Sequence, residues 1–297
     1  MHVMVSIFLV FLFLSLSFPF VLHRVYRAPR VMETRTPDRV GLPFTQQYLS
    51  GTNSKRLYSW HIPASDSHAT LIVAHGWGAN IELMLPLAQP FHQAGLDVLM
   101  FDARNHGKSD DDSFSSLPRF AEDLETAIRW VKAKQPDHRI IVMGHSIGAA
   151  AAILAASRRK DVDLVIGLSG FAHPNLVMNR HLDRPWLPKF IRPMILNYIQ
   201  WVIGFRFDEI APMNRIHQVN CPVMLAHGTD DRVVPISDMH LIEANASPDQ
   251  PVKIYPVAGA RHDSVELFQQ HSGKLIEFIQ SHLVLRGRAV MLGNGSG

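Results

Sequence analysis

The chain has 297 residues, 47% of them hydrophobic and 19% charged, with a formal net charge of +3 and one cysteine. That is ample apolar material for a single core, and one cysteine excludes an internal disulfide. The slight positive excess does not indicate a nucleic-acid partner, because much of it sits beside an apolar amino-terminal run and in an aromatic insert, where attraction to anionic lipid accounts for it.

From Val3 to Leu22 there is no charged side chain and much Phe, Leu and Val. At helical rise this length just crosses a hydrocarbon core of about 30 Å. The expectation is a transmembrane signal-anchor over residues 1–24; a cleaved signal peptide fits less well, since no basic region precedes the run and no Ala-x-Ala site follows it. His23, Arg24, Arg27 and Arg30 lie after the span, so the domain that follows is expected on the cytoplasmic side of the membrane. Residues 25–67 read as a linker with prolines at 29, 37, 43 and 63, followed by edge strands over Phe44–Leu49 and Leu57–Ile62.

The main domain, 68–285, alternates strand and helix. Thr70–Ala74 is an apolar strand candidate that runs into His75-Gly76-Trp77-Gly78, and Asp97–Phe101 is another. Leu117–Lys134 carries Phe120, Leu124, Ala127, Ile128 and Val131 on one helical face. Arg139–Met143 is a buried-type strand that enters Gly144-His145-Ser146-Ile147-Gly148, with a small-residue helix over Ala149–Ala156 directly after it. Leu164–Leu168, Pro222–Ala226 and Val252–Val257 complete the strand candidates, and a long amphipathic helix is expected from near Asp263. This alternation predicts an α/β fold with a mostly parallel sheet covered on both faces. Gly293–Gly297 ends a flexible tail, 286–297.

Between 171 and 216 lies an insert rich in Trp186, Phe190, Tyr198, Trp201, Phe205 and Phe207, interspersed with Arg180, Arg184, Lys189, Arg192 and Arg206. It reads as a helical lid. Met194, Ile195, Tyr198, Ile199, Val202 and Phe205 recur at helical spacing. Packing on the main domain is the ordinary fate of such a stripe; contact with lipid or an acyl chain is the functional alternative.

A Gly-x-Ser-x-Gly match alone arises by chance in roughly one chain in ten of this length. Its setting between strand and helix gives it weight, because a serine on so sharp a turn needs glycines on both sides for clearance. The bend points the Ile147 amide at the place where a carbonyl oxygen would become negative, and the Trp77 amide of the earlier glycine-rich loop is the expected second donor. Ser146 needs a base to take its proton. Of 17 histidines, His262 is preferred because it sits between a strand candidate and a helix, on the same functional edge. An acid must orient that histidine, and Asp230 and Asp231, which follow the strand at 222–226, are both candidates.

His227-Gly228-Thr229-Asp230-Asp231-Arg232-Val233-Val234-Pro235 resembles the His-Gly-x-x-Asp-x-x-Val-Pro segment of α/β-hydrolases. Asp102-Ala103-Arg104-Asn105-His106-Gly107-Lys108-Ser109 is similar to their Asp-x-Arg-x-His-Gly-x-Ser segment. Residue by residue, the resemblance puts the acid on Asp231. It covers about Thr70 to Leu283 and implies hydrolysis of an ester, thioester or amide with no metal or organic cofactor. The expected substrate is a small-molecule or lipid ester with an apolar acyl group; acyl transfer, peptidase activity and a non-catalytic binding role on the same fold are the alternatives. Gly107-Lys108-Ser109 is not a phosphate loop, since the earlier glycine such a loop requires falls on Asp102.

Overall fold

The computed structural model describes residues 27–283, together with Ser17, Phe20, Val21 and Arg24, which are helical. Most of the apolar run expected to be an anchor, and the tail expected to be flexible, lie outside the described residues. Among the described residues no helix is long and apolar enough to cross a membrane.

Eight strands form one sheet: β1 (Thr45–Ser50), β2 (Arg56–Ile62), β3 (Ala69–Ala74), β4 (Asp97–Phe101), β5 (Arg139–His145), β6 (Leu164–Leu168), β7 (Val223–Gly228) and β8 (Val252–Val257). Their order is β1-β2-β4-β3-β5-β6-β7-β8. The first two pair antiparallel, β2 pairs antiparallel with β4, and every other pairing is parallel. β3 to β6 are buried throughout apart from Arg139, because helices cover both faces. Continuous apolar runs, rather than alternating ones, are what that arrangement demands. Alternation still decides which core each side chain joins: Leu71 and Val73 enter one apolar cluster, Ile72 and Ala74 the other.

The helices are α1 (Ile81–Gln93), α2 (Leu117–Lys134), α3 (Ile147–Arg158), α4 (Pro174–Leu182), α5 (Arg192–Ile203), α6 (Phe207–Ile210), α7 (Pro212–Arg215), α8 (Ser237–Glu243), α9 (Val265–Gln270) and α10 (Ser272–His282). α1 forms although Pro86 and Pro90 lie inside it. Asn80 caps its start by accepting from the Glu82 amide at 3.0 Å, and the buried Ile81, Met84, Leu85, Leu87, Ala88 and Phe91 hold it to the sheet. The single long helix expected from near Asp263 is two helices. The chain breaks at His271, just before Gly273, where the His271 ring bonds the Tyr255 hydroxyl at 2.7 Å.

The insert is helical, and its apolar and aromatic side chains are split between two sides. Leu196, Ile199 and Ile203 pack against the main core, and Ile195 is buried with Leu182. Trp186, Phe190 and Trp201 face outward, each at least 76% exposed, and Met194 is 63% exposed. Of the stripe itself, Ile199 packs against the main core, Ile195 and Tyr198 pack with Leu182 inside the insert, and Met194 faces outward.

Candidate active site

The parallel register sets the Gly144 end of β5 beside Ala74 of β3 on one side and Gly167 of β6 on the other. The chain then turns sharply into α3. Ser146, the residue on the turn, has φ 55° and ψ −117°, a conformation that costs a non-glycine residue about 1–3 kcal/mol. Its amide is tied to the Leu168 carbonyl at 2.9 Å. The flanking glycines are sterically required: a Cβ on Gly144 would lie 2.1 Å from the Gly148 carbonyl carbon, and one on Gly148 would lie 2.5 Å from the Ala74 oxygen.

Three side chains from three loops meet here. His262 Nε2 lies 3.0 Å from Ser146 Oγ, and His262 Nδ1 lies 2.8 Å from Asp231 Oδ2. The other carboxylate oxygen, Asp231 Oδ1, accepts from the amides of Val233 and Val234 at 2.9 and 2.8 Å. Burial pushes the Asp231 carboxyl upward, but hydrogen bonds from His227, His262 and the Val234 amide outweigh it and hold the group well below the usual carboxylate range. Asp230, the other sequence candidate, is exposed and accepts from the neighbouring Thr229 hydroxyl. Geometry therefore separates the two aspartates.

The Ile147 amide begins α3, where the first amides have no intrahelical partner. Trp77 stands on the loop after β3, with its indole 40% exposed. That loop abuts the elbow: a Cβ on Gly76 would lie 3.5 Å from Ser146 Cβ. An open cavity of about 510 Å³ lies beside His262, lined by Asp230, Arg232, Val233, Arg261, Asp263 and Ser264. No residue of the insert lines it, so the expected roof of insert aromatics is not found there.

Three further histidines carry the site, and the motifs gave them no role. His145 Nε2 donates to the carbonyl of His262 at 2.7 Å, tying the end of β5 to the loop that carries His262. Its buried Nδ1 has no partner. His106 donates from Nδ1 to the Arg104 carbonyl and accepts at Nε2 from the Gly78 amide at 3.1 Å, bracing the Trp77 loop. His75 bridges the Gly76 carbonyl and the Ala103 amide. Burial lowers all three, His75 to about 3 and His106 and His145 to about 4, so each is neutral at pH 7. Arg104 is buried and ion-paired with Asp123 at 2.7 Å and Glu122 at 2.6 Å. The Asp102–Ser109 segment is thus scaffolding for the site. Its periodicity carries no sign of this, although its density of buried polar types was the available signal.

One group of possible metal ligands occurs among the described residues: His145, His262 and Asp263 each offer an atom within 4.8 Å of the others. Both nitrogens of His262 are already engaged by Ser146 and Asp231. A cation here would have to break that relay.

A serine on a sharp strand-to-helix turn of a central parallel strand, with an aspartate and a histidine on later loops in the order Ser, Asp, His, is the arrangement found in α/β-hydrolases. Residues 65–204 match the family model described as Hydrolase_4, serine aminopeptidase, S33. The chain is 29% identical over 216 residues to Rv2307c of Mycobacterium tuberculosis, covering 71% of this chain and 70% of that one. It is 25% identical to the monoacylglycerol lipase of Mycolicibacterium smegmatis, over 80% of this chain and 98% of the lipase. The esterase Pf2001 of Pyrococcus furiosus superposes with a TM-score of 0.72 at 22% identity, covering 86% and 97% of the two chains. The chain has the α/β-hydrolase fold and is similar to esterases and lipases of that superfamily.

Proposed function

We propose that this chain is a membrane-tethered serine hydrolase that cleaves carboxylic esters with apolar acyl groups through an acyl-enzyme on Ser146. The observation that carries the reading is the continuous relay from Asp231 through His262 to Ser146, at 2.8 and 3.0 Å. His262 takes the Ser146 proton as the hydroxyl attacks the ester carbonyl, and Asp231 holds the imidazole in the tautomer with Nδ1 protonated. The developing oxyanion accepts from the Trp77 and Ile147 amides, an interaction worth about 3 kcal/mol per donor. His262 passes its proton to the leaving alcohol. Water, activated by the same histidine, then releases the acid and restores the serine. The charge-free run at 3–22 followed by arginines supports the tether, with the domain on the cytoplasmic side.

Amide hydrolysis at a peptide amino terminus is the second reading, favoured by the description of the matched family. The cavity beside His262 offers it mixed signals: Asp230 and Asp263 suit a free amine, Arg232 and Arg261 oppose it. Turnover of p-nitrophenyl butyrate and of aminoacyl p-nitroanilides by the full chain in detergent, wild type against Ser146→Ala, tests the assignment. Ester turnover lost in the variant is expected. Preferential anilide turnover would favour the peptidase, and ester turnover surviving in Ser146→Ala would remove the serine from the mechanism.

A further inference from the structure

The segment between the apolar run and β1 makes contacts that a slack tether would not. Pro29 sits over Gly78 of the Trp77 loop, so close that a Cβ on that glycine would lie 2.8 Å from Pro29 Cγ. Asn80 donates to the Val31 carbonyl at 3.1 Å, and the Thr34 amide, the Arg35 amide and Arg35 Nε all donate to the Glu82 carboxylate. On the other flank, Arg30 donates to the carbonyls of Gly107 and Ser109, each at 3.0 Å, and Lys108 pairs with Glu33 at 2.5 Å. Residues 29–35 therefore strap together the loop that bears Trp77, the start of α1, and the Asp102–Ser109 scaffold.

We propose that this strap holds the mouth of the active site against the bilayer, and that the substrate is an acyl ester resident in that bilayer; this rests on the membrane-tethered esterase reading above. Leu22, the last residue of the apolar run, and Pro29 are seven residues apart in the sequence. Fully extended, that stretch reaches about 25 Å. A domain of roughly 250 residues has a radius of gyration of about 18 Å and a diameter near 45 Å. With the strap docked, the tether is too short to turn the opposite edge of the sheet toward the membrane. The carboxyl edge of the sheet, which carries Ser146, must stay close to it.

The surface at that edge is suited to a lipid interface. Val233, on the rim of the cavity, is 52% exposed, and the Trp77 indole is part-exposed on the strapped loop. The insert leaves the sheet at the same edge, after β6, and sets the outward-facing Trp186 and Phe190 among the exposed Arg184 and Lys189. Aromatic rings with cationic neighbours are the chemistry that settles at the boundary between acyl chains and anionic headgroups. Held there, the site meets an embedded ester at a high effective concentration, without extracting it into water.

The test uses the full chain in vesicles of phosphatidylcholine with one-fifth phosphatidylserine. Single labels are placed at Val233→Cys, on the mouth, and at Asp137→Cys, exposed before β5 at the opposite edge, while the native Cys221 is buried. Nitroxide lipids should quench the label at 233 severalfold more than the label at 137. A flexible spacer of about twenty Gly and Ser residues between Arg27 and Ala28 adds about 70 Å to the fully extended reach of the tether, more than the domain diameter. It should erase that difference and lower turnover of a bilayer-embedded fluorogenic long-chain ester at least fivefold, with p-nitrophenyl butyrate turnover unchanged. Equal quenching in the native chain or an embedded-ester rate indifferent to the spacer would overturn the inference and leave the membrane-tethered esterase reading standing; recovery of the chain in the aqueous fraction would overturn both the inference and the tether, leaving only ester hydrolysis at Ser146. Failure of the native chain to turn over p-nitrophenyl butyrate would instead strike that reading itself.

Discussion

Replacing Asp231 by asparagine isolates what the carboxylate does for His262. The new side chain can keep the two amide contacts from Val233 and Val234 with its carbonyl oxygen, now accepted by Oδ1 at 2.9 and 2.8 Å. Its NH2 group then faces His262 Nδ1, which donates to Asp231 Oδ2 at 2.8 Å in the native protein. Two donors cannot share that contact, so the imidazole shifts to the tautomer protonated at Nε2 and offers Ser146 no acceptor. The same exchange in a serine protease costs about 10⁴-fold in kcat, and four decades correspond to ~5.4 kcal/mol of barrier. The assay is kcat/KM for p-nitrophenyl butyrate between pH 5 and 9, alongside a thermal melt to verify folding. Asp230→Asn, which changes an exposed loop carboxylate, should remain within twofold of wild type. A folded Asp231→Asn enzyme within tenfold of wild type would refute the claim that this carboxylate orients the base.

Acid stability and the His145 bridge supply two more expectations. His75, His106 and His145 bind protons only at about 3 to 4 in the folded chain, against about 6.5 when unfolded. Between those values the unfolded state holds more protons, so stability should fall as pH drops from ~6.5 toward ~4, by up to about 4 kcal/mol per pH unit if all three contribute fully. Urea midpoints measured from pH 4.5 to 7.5 check this, and a flat profile would contradict it. His145→Leu removes the donor to the His262 carbonyl and leaves that part-buried acceptor without its partner, at a cost of about 1 kcal/mol. It should lower kcat about tenfold or more with KM little changed, while His145→Gln, which retains a donor, recovers part of the loss; equal damage to KM and kcat would argue against a positioning role.

Most of the fold was legible because a sheet buried on both faces writes its strands as unbroken apolar runs. Six strand candidates, from 70–74 to 252–257, match observed strands to within two residues at either end. α1 was not legible: prolines at 86 and 90 argue against a helix, and only its tertiary packing overrides them. The elbow and His262 could be read from their strand and helix contexts. Residues alone left Asp230 and Asp231 equivalent, because adjacent positions on one loop differ only in where the loop turns. The histidines that brace the site were illegible for a related reason. Their partners are backbone groups of loops distant in the chain, such as Gly78 for His106 and His262 for His145. The aromatic insert showed its helical period but not its orientation, since an amphipathic stripe does not say how much of it the rest of the domain will cover.

The central claim is that the Ser146 hydroxyl becomes covalently acylated during turnover. Incubating the full chain with a slowly released ester, quenching in acid within the first turnovers and mapping the digest by mass spectrometry tests it directly. The expected result is the acyl mass on the peptide containing Ser146, absent from Ser146→Ala. Ester turnover with no adduct on that peptide, or with the adduct on another side chain, would contradict the mechanism.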